Sequence, residues 1–327
     1  MKHHVTKTAP VLRRAISTIA LALGLGTLVA SGAQAQDYPS KPITMFIGYG
    51  AGGQTDLVGR GVAQVLSDQL GVPVNVVNKP GSGGALAAYQ LQKEDPDGYT
   101  VMFHTDGIIN AEPFTTKRIT FTPEDFEYAG MITAFQQGLA APKDAPYDTV
   151  AEFVDWAKQN PGAVFGSLSP MAKLYMDEIA KANDLDVNIM PLKSGGEVVN
   201  TLLGKQVALV FSGGIHYRYP DETKSIAATT TFRHPSAPDV ETINEAGYPL
   251  GMDARTTLIL PKGTPREVLE TLSTALAAAA TDEQFQKVVG AADIPIMYFD
   301  LDAAAEEITQ SYAANKAIIE GAGIEPQ

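Results

Sequence analysis

The chain has 327 residues, no cysteine and a formal net charge of −13. Without cysteine there is no disulfide, no thiolate metal site and no thiol nucleophile, so stability must come from core burial. The acidic balance argues against nucleic acid, and an anionic ligand must be held by local donors against the overall field.

Residues 1–35 carry Lys2, Lys7, Arg13 and Arg14 and no acid, then an uncharged stretch, Ile19–Ala30, then Ala33-Gln34-Ala35. This reads as a cleavable signal peptide over 1–35, with its apolar part too short to span a bilayer. Removing its four positive charges from −13 leaves −17 for the remainder. The expected location is the periplasm.

The stretch around which the chain is built follows. Ile43, Met45, Phe46 and Ile47 form an apolar run, and Gly48, Gly50, Gly52 and Gly53 come next. Thr55 and Asp56 are good helix N-caps, and Leu57, Val58, Val62, Val65, Leu66 and Leu70 then recur at helical spacing. Strand, glycine loop and helix in this order bring backbone N–H groups and a helix N-terminus to a ligand, a geometry suited to a carboxylate or phosphate. A second unit runs from Val72–Val77 through Asn78-Lys79-Pro80-Gly81-Ser82-Gly83-Gly84 into a helix ending at Leu91. A third strand, Tyr99–Phe103, ends in His104-Thr105-Asp106-Gly107. Ligands of open α/β sheets bind at such strand ends.

After Pro142 the pattern repeats. Thr149-Val150-Ala151-Glu152 reads as a capping box. Strands at 164–165, 187–190 and 207–211 lead into loops carrying Ser167 and Ser169, Ser194 and Gly195, and Ser212 and Gly213. Ile226–Thr230 reads as another strand, and Thr256–Leu260 as a return to the first half. Thr264-Pro265-Arg266-Glu267 reads as a capping box opening an alanine-rich helix, and the last helix spans 302–320.

The expected fold is α/β with largely parallel sheet: two Rossmann-like domains, a hinge and an interdomain cleft. Residues 36–140 plus 255–327 form domain I and 141–254 domain II. Crossings near 140 and 255 make the hinge.

The stretches 38–43, 50–56, 78–84, 97–100, 239–248 and 260–265 resemble the Bug family, the TctC-like extracytoplasmic solute-binding receptors of tripartite tricarboxylate transporters. The resemblance covers about Tyr38 to Ile324, nearly all of the chain after the leader. It implies a two-lobed, type II-like periplasmic binding protein that closes on a small carboxylate, di- or tricarboxylic and with an aliphatic or aromatic body. The solute would pass to membrane permease subunits. The implied proximal site is Ala51, Gly52, Gly53, Thr55 and Asp56 with Ser82, Gly83 and Gly84, and His104, Thr105 and Asp106 nearby. The second domain holds the distal end through Ser167, Ser169, Lys173, Ser194, Gly195, Ser212 and Gly213. Here the sequence departs from the family, having neither the usual histidine after Ser167 nor the tryptophan expected near Arg255.

Each candidate has a plainer reading. Lys173 is a solvated helix residue or a counter-charge for a distal carboxylate, with Arg218 and Arg255 as weaker candidates. Tyr49 is core or a cover over the ligand. His104 lines the cleft or acts with Asp106. Gly48-Tyr49-Gly50-Ala51-Gly52-Gly53 also fits the dinucleotide fingerprint of an exported NAD(P)-dependent oxidoreductase, but Asn78 stands where an acid should bind the ribose. No serine lies in a G-x-S-x-G elbow, so a serine hydrolase is not supported. The reading is therefore a monomeric receptor, not an enzyme, needing no cofactor and no metal.

Overall fold

The structure is a computed structural model that describes residues 1, 3, 38–167, 170–192 and 195–326. Nearly all of the predicted signal peptide, and Ser169 and Ser194, lie outside the described residues. The chain divides into a short unit, Met1–Asp37, and a compact unit, Tyr38–Gln327.

Two mixed sheets organise the compact unit. The first contains β1 (Ile43–Ile47), β2 (Val74–Asn78), β3 (Thr100–Thr105), β4 (Phe126–Ala134), β10 (Arg255–Pro261) and β11 (Ile296–Phe299), in the order β11-β4-β10-β3-β1-β2. The second contains β5 (Gly138–Pro142), β6 (Ala163–Ser167), β7 (Val187–Pro191), β8 (Leu209–Ser212) and β9 (Thr223–Ala228), in the order β7-β6-β8-β5-β9. β1 runs parallel to β2 and β3, and β6 parallel to β7 and β8. These are the strand–loop–helix units legible in the sequence.

The remaining pairings correct the expectation of a largely parallel sheet. β10 is antiparallel to β3 and β4, and β5 is antiparallel to β8 and β9. The strands that pass between the sheets arrive at the ends where the parallel strands finish, so they must run back the other way.

Burial explains the long apolar runs, since a sheet covered on both faces needs apolar residues at successive positions. Ile43 and Met45 pack on one face with Val58, Val62 and Leu66 of α1 (Gln54–Leu70). Phe46 and Met102 pack on the other with Phe121 and Ile308. In the second sheet Leu139 and Leu209 join a core with Phe153 and Tyr175, while Ala140 and Val210 face Val198 and Leu202. The other helices are α2 (Ala85–Leu91), α3 (Gly107–Asn110), α4 (Val150–Gln159), α5 (Pro170–Asn183), α6 (Gly195–Leu203), α7 (Arg266–Ala279), α8 (Glu283–Gly290) and α9 (Leu301–Gly321). α9 joins both cores, with Ile308 in the first sheet's and Ile319 in the second's.

Three expected caps form differently. Gly53, not Thr55 or Asp56, is the N-cap of α1, because the helix starts two to three residues earlier. Thr149 caps α4 by accepting from Glu152 N, but Glu152 reaches back to Asp148 N at 2.7 Å, one residue before the cap. Thr264 donates its hydroxyl to Pro261 O at 2.8 Å, which leaves Pro265 as the cap of α7 with no side-chain bond.

Candidate functional site

The loops after β1, β2 and β3 meet over His104. A Cβ on Gly48 would lie 2.5 Å from His104 Cδ2 and 2.6 Å from Gly84 Cα. Gly84 has φ +104°, and its Cβ would lie 2.2 Å from His104 Nε2. Both positions therefore need glycine. His104 is fully buried, and burial pushes its pKa down to about 4, so it is neutral at pH 7. It packs under Tyr49, with ring centroids 4.3 Å apart and the planes tilted by 41°. The imidazole is the floor of the loops, not a group lining the cleft. Gly84→Ala combines a left-handed backbone with a clash against buried atoms. The expected loss is about 2 kcal/mol or more, read as a fall in urea midpoint at unchanged m-value.

Asp56 holds the first loop in shape. Its Oδ2 accepts from Gly52 N at 2.9 Å and Arg60 Nε at 3.0 Å, and its Oδ1 from Asn78 Nδ2 at 2.8 Å. Asn78 also donates to Tyr49 O and accepts from Arg60. Burial opposes ionisation of Asp56, but these donors hold its carboxyl below the usual range. Asn78 is thus committed to loop structure, where a dinucleotide site would need a free acid for the ribose. With the loop fixed, the backbone N–H groups of Ala51, Gly53, Gln54 and Thr55 make no hydrogen bond among the described residues. They are the orphan donors of a 17-residue helix and the loop that enters it.

The strand ends of the two sheets enclose two chambers. The outer chamber, about 680 Å³, lies between Gly52 and Gly53 of the first loop with Arg60 of α1, and Gly195, Gly213 and Arg218 opposite. Arg218 is exposed and makes no ion pair or hydrogen bond among the described residues. The inner chamber, about 300 Å³, has aromatic walls from Tyr49, Phe135, Tyr175 and Phe211. Its polar lining includes Thr105, Glu112, Gln137, Asp253 and Asn315. The same two loops flank both chambers: Tyr49 and Phe211 line the inner one, Gly52 and Gly213 the outer.

The expected site residues divide accordingly. Gly52, Gly53, Asp56, Gly195 and Gly213 come together in the outer chamber, and Tyr49 and Thr105 in the inner one. Ala51 is exposed on the loop, and Thr55 is buried in the first turn of α1. Gly83 approaches the inner chamber from outside, since its Cβ would lie 3.6 Å from Glu112 Oε1. Ser82 precedes it with φ +47° and lines neither chamber.

Other candidates have structural work. Asp106 is buried and accepts from Arg255 N at 2.9 Å; burial pushes its pKa up to about 7 despite that bond and the nearby guanidinium. Ser212 is buried and bonds His216 Nδ1 at 2.8 Å and Gly214 N at 3.2 Å. Ser167 is buried at the end of β6. Lys173 pairs with Asp177 one turn along α5. Arg255 is spent on Asp253, at 2.6 Å, and Glu307, at 3.3 Å. The sequence reading had no place for Glu112, Gln137, Asp253 and Asn315. Asn315 carried the one visible signal, an amide on the buried stripe of α9.

Two α/β sheets with glycine loops facing each other across a cleft define the class as a solute-binding protein. The chain matches the tripartite tricarboxylate transporter family receptor (TctC) over residues 58–324 and belongs to that family. It is 33% identical over 320 residues to the UPF0065 protein in gbd 5'region of Cupriavidus necator, covering 96% of this chain and 97% of that one. Among solved structures it resembles the periplasmic binding protein BugD, with 27% identity and TM-score 0.72, covering 89% of this chain and 100% of that one. It also resembles a TctC solute-binding protein from Polaromonas, with 25% identity and TM-score 0.74, covering 87% and 99%.

Proposed function

We propose that this protein is a periplasmic receptor that captures a small carboxylate and presents it to the membrane permease subunits of a tripartite tricarboxylate transporter. It does no chemistry on its ligand. One observation carries the reading: the N–H groups at the start of α1 and the Arg218 guanidinium, all without partners among the described residues, line the same outer chamber. A carboxylate there exchanges water for charge-assisted hydrogen bonds and lies at the positive end of the helix dipole. The glycines let its oxygens approach the backbone.

Residues 36–140 plus 255–327 act as one lobe and 141–254 as the other. The connections before β5 and before β10 serve as the hinge, and closure excludes water from the bound carboxylate. α9, packed on both cores, is a third link that limits the swing. Residues 1–35 direct export, and the receptor acts as a monomer.

The test is a calorimetric titration of residues 36–327 with mono-, di- and tricarboxylates. Arg218→Ala should weaken the best ligand tenfold or more, while Lys173→Ala leaves it within twofold. An unchanged affinity in Arg218→Ala would remove the guanidinium from the site.

A further inference from the structure

Asp106 stands where the second crossing enters the first sheet. Its N–H donates to Arg255 O at 2.8 Å and its Oδ1 accepts from Arg255 N at 2.9 Å, so backbone and side chain together hold the first residue of β10. Its Oδ2 is buried and meets no donor among the described residues. The Arg255 guanidinium beside it is engaged elsewhere: Nη2 donates to Asp253 at 2.6 Å, Nε to Glu307 at 3.3 Å and Nη1 to Met297 Sδ at 3.9 Å. The carboxyls of Asp106, Asp253 and Glu307 thus gather around a single guanidinium, which bonds the other two.

Negative charge on all three is costly in a buried site. Asp253 is held ionised by Arg255 and by the N–H and hydroxyl of Thr231, and Glu307 is partly solvated. The proton therefore belongs on Asp106 Oδ2, which leaves Oδ1 free to keep its bond from Arg255 N. Burial is the main influence on this carboxyl; Asp253 and Glu307 act in the same direction and Arg255 against them, and it titrates at about 7. On its own strand His104 is neutral. Asp106 is also placed to sense the cleft. Thr105 and Gly107, its neighbours on either side, line the inner chamber together with Asp253 and Ala254 of the crossing.

We propose that Asp106 is a proton-binding site at the foot of the hinge, and that the receptor takes up a proton there when it closes on its solute. The proposal rests on closure of the lobes over a carboxylate. Closure withdraws water from the chamber beside Asp106, and the solute brings negative charge into the cleft. Both favour the neutral form of a neighbouring carboxyl. Affinity is then constant at a pH where Asp106 is already protonated, and falls as the pH rises above about 7.

The test begins on residues 36–327 without solute. A carboxyl raised from its ordinary 3.8 to about 7 makes the fold lose stability as the pH rises between those values. His104, His216 and His234, which burial keeps neutral, pull the other way. The quantity to read is therefore the difference between the wild type and Asp106→Asn, an isosteric change that keeps the bond from Arg255 N. The variant should gain several degrees in Tm on the wild type between pH 4.5 and 7.5. Calorimetry at pH 7.5 follows, with succinate, glutarate and benzoate as probes in buffers of differing ionisation enthalpy; their own carboxyls are ionised there. The wild type should take up at least 0.3 proton per solute bound and lose threefold or more in affinity between pH 7 and 8.5, and Asp106→Asn should do neither. If that variant does not fold, Glu307→Gln takes its place: with one like charge removed, the fall in affinity should begin at lower pH. Binding without proton uptake, uptake that persists in Asp106→Asn, or an unshifted profile in Glu307→Gln would overturn the proposal and leave the carboxylate reading intact. A stability difference that does not change with pH would overturn it without any solute. Failure of all three probes to bind would overturn the carboxylate reading and with it the coupling to capture, while the stability difference still decides the proton on Asp106.

Discussion

Gly53→Val should abolish detectable carboxylate binding, a loss of a hundredfold or more, while the protein stays folded. Gly53 has φ −79° and ψ 172°, which any residue adopts, and a Cβ there meets nothing closer than Gly50 O at 3.8 Å. The added isopropyl group stands over the N–H groups at the start of α1, where the carboxylate oxygens must come within about 3 Å. Loss of glycine at an N-cap without side-chain bonds costs on the order of 1 kcal/mol, a shift of a few degrees in Tm. Gly52 is a poor choice for the same test, because its φ of +86° adds backbone strain. Calorimetry and a thermal melt on one preparation separate the two effects. Retained affinity would place the carboxylate elsewhere.

Arg255→Met should be the most damaging substitution for stability. Arg255 is 6% exposed, and its guanidinium lies against the rings of Phe232 and Phe299 and joins Asp253 to Glu307 of α9. Its removal strands Asp253, whose side chain is 6% exposed, as a buried charge without a cation. Breaking such a pair from one side costs about 3–5 kcal/mol; Glu307 is partly solvated, so the lower figure applies. A fall in Tm on the order of 5 °C or more is expected. Asp253→Asn added to Arg255→Met should recover part of the loss, because it removes the stranded charge. A single variant as stable as the wild type would mean that water replaces the guanidinium beside Asp253 at no cost. Asp253 also lines the inner chamber, so this network fixes one wall of it.

Local pattern carried much of the architecture. Apolar runs followed by glycine or serine located β1, β2, β3 and β6 to β8, and helical periodicity located α1, α4 and α9. The strands that escaped notice are β4, β5 and β11. β4 and β5 carry few turn signals and lie end to end, Phe126–Ala134 and Gly138–Pro142, although they belong to different sheets. Where one sheet ends and the other begins is set by which neighbours they pair with, a non-local matter.

The site divides along the same line. The sequence by itself determined the first loop, because glycine spacing, helix phase and the N–H groups left at a helix start are local properties of residues 48–56. It also offered side chains of the second half as counter-charges for a distal carboxylate, each beside a plainer reading as a solvated residue. Lys173 stood first on paper, with Arg218 and Arg255 as weaker candidates. Only the tertiary structure separates their surroundings: Lys173 pairs with Asp177 one turn along its helix, whereas Arg218 lines the outer chamber with the start of α1. It likewise turned His104 from a cleft residue into the floor beneath three loops, because two glycines approach too closely for the ring to reach the opening. Apart from Tyr49 and Thr105, the inner chamber could not be read from the chain. Its walls come from 49, 112, 137, 253 and 315, positions with no shared motif, which meet only when two sheets and the last helix have packed.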